Sequence, residues 1–145
     1  MKNSANYRVI YGDTDQMGVV YYANYLRWFE LGRTEFLRQL ATPYTSIEER
    51  GFYFPVTEAT CRYRTPARFD DLIVIETTLA SLGRASFTVS YRLYRQRDSA
   101  VVATGETRHA CVNREGQVTR IPADLEKILK SALNPSTKTS KSSPD

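Results

Sequence analysis

The chain has 145 residues, 41% of them hydrophobic, and a formal net charge of +4 from 20 Lys and Arg against 16 Asp and Glu. That length and apolar content suit one domain with one real core, and scattered charges of both signs describe a solvated surface rather than the concentrated basic stripe of a nucleic-acid-binding module. No apolar run approaches the roughly 20 residues of a bilayer span, and the opening MKNSANYRVI lacks the apolar centre of a secretory signal. A cytoplasmic protein without membrane insertion is therefore expected.

Residues 7–11, YRVIY, read as a short strand, and GDTDQMG then breaks it with residues that turn the chain through side-chain to backbone hydrogen bonds. Apolar residues at Tyr25, Trp28, Phe29, Gly32, Phe36 and Leu40 fall three and four apart, which predicts one helix from near Tyr22 to Leu40. A glycine inside a helix costs about 1 kcal/mol relative to alanine, so Gly32 on the apolar face implies a very close neighbour. A sheet wrapped around the helix would provide it.

After a polar connection to Gly51, residues 56–65 alternate as a half-exposed strand that Pro66 should end. Three further strands are predicted at about 72–82, 84–96 and 100–113, with turn material at Gly83 and at RDS, and their adjacency implies antiparallel hairpins. Cys61 and Cys111 fall in two of these strands and are too few and too far apart for a disulfide framework or a zinc site of about four close ligands. They read as buried free thiols, and no metal is expected. A short strand at Val118 and Thr119 follows the turn NREG, and a helix starts at Pro122 with Leu125, Ile128, Leu129, Ala132 and Leu133 at helical spacing. Residues 1–133 thus form a single domain, and residues 134–145, which contain no large apolar side chain, should be disordered. One long helix and several antiparallel strands make an α+β domain, a curled sheet around a central helix.

The stretch YGDTDQMGVVYYANY packs two carboxylates, a hydroxyl, a glycine and four tyrosines into fifteen residues before the helix. The common use of Asp13 and Asp15 there is to stabilise the turn or cap the helix. The alternative is chemical. Free N–H groups at a helix start, with the positive end of the helix dipole, suit a developing oxyanion, and Asp15 lies close enough in sequence for a folded loop to bring it to them. Asp15 would then be a nucleophile or a general base on water. A serine-histidine-acid triad is not credible with one histidine, His109, in a predicted late strand. Gly18 would permit an unusual backbone angle or a close substrate approach. Tyr21, Tyr22 and Tyr25 could line a pocket or fill core, and Asn24 could organise the loop or bind water.

The segment YGDTDQMGVVYYANYLRWFELGRTEFL, with FPVTEATCRYRTPARFDD further on, resembles the 4-hydroxybenzoyl-CoA thioesterase family of hot-dog-fold acyl-CoA thioesterases over about residues 7–122. The resemblance implies hydrolysis of an acyl-CoA thioester to a free acid and coenzyme A by a homo-oligomer, usually a tetramer made of hot-dog dimers. No cofactor is implied, since coenzyme A belongs to the substrate. Asp15 falls at the family's catalytic carboxylate, and Tyr22 where a backbone N–H meets the thioester oxygen. Arg84, in GRASF, falls where relatives hold coenzyme A phosphates, and Phe54 and Val56 are pocket candidates on the same basis. The chain departs from the family in carrying Met17 beside the motif glycine and Ala85 where a relative has a second basic residue. Arg62, Arg64 and Arg68 read as a solvated strand face, and His109 as a hydrogen-bonded or interface residue. Two other functions compete: a hot-dog protein that binds acyl-CoA or an acyl carrier protein without hydrolysis, and a basic nucleic-acid-binding module.

Overall fold

A computed structural model describes residues 1–133; the expectation for 134–145 lies outside the described residues. Five antiparallel strands form one sheet: β1 (Lys2–Arg8), β2 (Val56–Tyr63), β3 (Leu72–Leu82), β4 (Ser86–Arg95) and β5 (Val101–Ala110), in the order β1-β3-β4-β5-β2. The helix α1 (Asn24–Gln39) lies against β1, β3 and β4. It buries Tyr25, Trp28, Phe29, Gly32, Phe36 and Leu37, so the face predicted from spacing is the face that packs. A Cβ built on Gly32 would lie 2.8 Å from Ile75 Cγ2 and closer still to Thr77 Oγ1, both on β3. The glycine lets the helix sit directly on the sheet, and the curl of the sheet around it is the hot-dog arrangement.

The differences from expectation have local causes. The first strand is Lys2–Arg8 and not residues 7–11, paired with β3 from Lys2 opposite Thr78 to Arg8 opposite Leu72. This edge strand is mostly polar, so ladder bonds rather than apolar alternation define it. Val9 keeps backbone bonds to Asp70 and Asp71 beyond the end of β1, and Tyr11–Asp13 then form a 3₁₀ turn. The connection before Gly51 contains a short helix, α2 (Tyr44–Glu49), with only Ile47 buried, too little apolar signal to reveal a period. Val118 makes an isolated bridge with Val112 and no strand. β2 was expected to bury one face, but seven of its eight residues are exposed and Cys61 is half-buried, because α1 packs on β1, β3 and β4 rather than over β2. Cys111 is buried. The helix α3 (Ala123–Ser131) closes the described chain with Leu125 and Leu129 in the core.

Candidate active site

β1 and α1 are joined by a loop whose shape follows from its polar residues. The Asp13 carboxylate is buried; its Oδ2 accepts from Tyr7 OH at 2.8 Å and Ile10 N–H at 2.9 Å, and its Oδ1 faces Arg27 at 3.9 Å. The Asp13 carbonyl accepts from Tyr21 N–H at 2.8 Å and from the Asn24 side-chain amide at 2.9 Å. Asp13 and Asn24 therefore tie the loop to the helix start. Asp15 begins a tight turn in which Gly18 N–H donates to the Asp15 carbonyl and Asp15 N–H to the Val19 carbonyl, both at 2.9 Å. Gly18 closes it at φ +79°, a region that side chains other than glycine's disfavour. The Asp15 carboxylate is half-buried, and its Oδ1 accepts from Met17 N–H at 2.9 Å. The turn is docked on the segment before β3 through Val20 N–H to the Ala67 carbonyl at 2.8 Å and Arg68 to the Gly18 carbonyl at 3.4 Å.

Asp15 opens onto a cleft of about 230 Å³ lined also by Met17, Tyr22, Tyr25, Tyr63 and Arg64. Tyr25 is core as well as wall, edge-on to Trp28 at 5.1 Å and to Tyr63 at 5.3 Å. Tyr63 OH donates to the Tyr22 carbonyl at 3.3 Å. Partial desolvation first, then its hydrogen bond with Cys61, pushes the Tyr63 hydroxyl up to about 12. α1 starts without a side-chain cap. Asn24 N–H and Tyr25 N–H reach the carbonyls of Tyr21 and Tyr22, whereas the Tyr22 and Ala23 N–H groups have no acceptor among the described residues. The cleft is thus lined by Asp15, Tyr22, Tyr25, Tyr63 and Arg64 at the end of the chain segment that starts α1.

The other candidates lie elsewhere. Phe54 lines a separate cavity behind α1, Val56 is exposed at the start of β2 opposite His109, and Arg84 is exposed beyond the far end of β3. The 11 residues of β3 separate Arg84 from the Asp15 loop by on the order of 30 Å at about 3.3 Å per residue. Tyr63 and Arg64 both line the cleft, although alternation placed them on opposite faces of the strand and read Arg64 as part of a solvated face. Alternation reveals which face a residue takes but not which loop will cover it. Among the described residues no cluster of three His, Cys, Asp or Glu side chains could hold a metal ion, and no helix is long and apolar enough to cross a membrane.

A family model for the thioesterase-like superfamily matches residues 9–129. The chain belongs to that superfamily. Among known proteins, an acyl-CoA thioesterase, YbgC, from Haemophilus influenzae is 38% identical over 107 residues, 73% of this chain and 77% of that protein. A 1,4-dihydroxy-2-naphthoyl-CoA hydrolase from Thermosynechococcus vestitus is 32% identical over 126 residues, 86% of each chain. The crystal structure of a Thermus thermophilus protein superposes with a TM-score of 0.87 at 35% identity, covering 92% of this chain and 99% of that one.

Proposed function

We propose that the chain hydrolyses the thioester of a short-chain or aromatic acyl-CoA to the free acid and coenzyme A, with the Asp15 cleft as the reaction site. The observation that carries this reading is a cleft at the start of α1 that Asp15 and Tyr22 line together. The acyl carbonyl oxygen accepts from Tyr22 N–H, and the helix start stabilises the charge that develops there as the carbonyl carbon becomes tetrahedral. Asp15 Oδ1 is held by Met17 N–H, which fixes the carboxylate and leaves Oδ2 for chemistry. Oδ2 either attacks the carbonyl carbon, giving an anhydride that water then cleaves, or takes the proton of a water that attacks. In both routes the C–S bond breaks, coenzyme A leaves as a thiolate and is then protonated, and water supplies the acid's second oxygen. The reaction needs no resident cofactor.

The tyrosine walls suit a flat or short acyl group, and the homologue acting on a naphthoyl-CoA extends that range towards aromatics. Arg64 faces the same cleft and carries the charge to meet a coenzyme A phosphate. Arg84 could do so only from a second copy, given its distance within one chain. A homo-oligomer fits the exposed Met17, Tyr21, Tyr22 and Tyr63 around the cleft and the open edge of β2. Free-thiol release across a panel of short aliphatic and aromatic acyl-CoAs tests the proposal. Turnover concentrated in that panel supports it; saturable acyl-CoA binding without thiol release would favour the non-hydrolytic alternative.

A further inference from the structure

Behind the C-terminal half of α1 lies a second cavity of about 130 Å³, which shares no lining residue with the Asp15 cleft. Its walls are apolar side chains, chiefly Phe36, Leu37, Phe54, Leu79, Phe87 and Val89, and its polar lining includes Glu30, Arg33 and His109. The size is close to the roughly 150 Å³ of an engineered apolar cavity that takes up benzene.

His109 offers such a ligand nothing polar. The Phe54 carbonyl can only accept, so the contact at 3.0 Å places the proton on Nδ1. Nε2 then accepts from Thr107 Oγ1 at 2.7 Å, and Thr107 accepts from Tyr91 OH at 2.6 Å. Every proton in this chain is committed. Arg33 is different. Its positive charge acts on Tyr44, Tyr91 and His109 together, and it hydrogen-bonds to the neutral Tyr91 hydroxyl, yet among the described residues it forms no ion pair within 4.0 Å with a carboxylate. Glu30, one turn earlier and exposed, lines the cavity without pairing to it. An apolar chamber beside a half-buried, uncompensated guanidinium complements a molecule with an apolar body and one anionic end.

We infer that this cavity is a binding site for a small monocarboxylate whose body is about the size of a benzene ring, its carboxylate held by Arg33. The site is independent of the chemistry assigned to Asp15, and either can fail without the other. Benzoate is the probe, titrated by calorimetry and by the NMR shifts of the aromatic side chains. The wild-type chain should show one saturable site, at least about tenfold weaker in Arg33→Gln and tighter in Glu30→Gln, which removes a nearby charge of the same sign as the ligand's. Val89→Phe, which fills the cavity, should abolish binding, while Asp15→Asn should leave it intact. The two charge variants keep the test decisive if Val89→Phe folds poorly. No saturation up to about 10 mM, or equal affinity in the wild type and both charge variants, would overturn the assignment, as would loss of the site in Asp15→Asn alone.

Discussion

His109 is held neutral by where it sits: burial is the main cause that lowers its pKa to about 4 from 6.5, and the positive charge of Arg33 acts in the same direction against the hydrogen bond to the Phe54 carbonyl. The unfolded chain takes up a proton near pH 6.5, and the folded chain refuses it until about pH 4, so stability should fall as pH drops through that window and be unaffected above it. At 1.36 kcal/mol per pKa unit the loss is roughly 3 kcal/mol by pH 4. Urea unfolding of the wild type and His109→Asn at several pH values checks this, because the variant should lack that part of the slope. Asp13 makes the second residue-level case. Both of its bonds to Tyr7 and Ile10 fall on one oxygen, so Asp13→Asn can keep them but as weaker neutral bonds, and a stability loss of roughly 1–2 kcal/mol is expected with little change in kcat. Thermal melts beside turnover assays separate the two effects. The sequence revealed this loop because Asp, Gly and Asn carry their turn chemistry locally. It did not reveal Tyr63, whose partner Tyr22 is 41 residues away.

The seam between α1 and β3 depends on Gly32. Helix propensity alone would make Gly32→Ala favourable by about 1 kcal/mol. The new methyl would instead press on Ile75 and Thr77, and overpacking of this kind costs about 1–3 kcal/mol. A lower melting temperature is therefore expected, by about 2–4 °C for each kcal/mol at this chain length; a rise would show that the seam has slack. Elements with a strong period were legible: α1 from its apolar face, and β3, β4 and β5 from alternation and turn residues. β1 and α2 were not, because a polar edge strand and a six-residue helix with one buried side chain owe their form to partners distant in sequence.

Across the whole molecule, the cleft and Arg84 lie at opposite ends of the sheet, so the two-ended grip that coenzyme A would need is incomplete in one chain. If a second copy supplies the missing end, no sequence pattern could show it, since the docking of a copy is not written in any local run of residues. If Arg84 of a neighbouring copy meets the phosphates, Arg84→Ala should raise KM about fivefold with a smaller change in kcat. An unchanged KM at low salt would leave that role to Arg64. Asp15 is assigned the reacting carboxylate, as nucleophile or as base, and the most direct test is steady-state thiol release by Asp15→Asn on the best acyl-CoA of the panel. The amide keeps the shape and the bond from Met17 N–H but lacks the anionic oxygen, so kcat should fall at least about a hundredfold while the chain still folds and binds acyl-CoA. Turnover near that of the wild type in a folded Asp15→Asn chain would contradict the account.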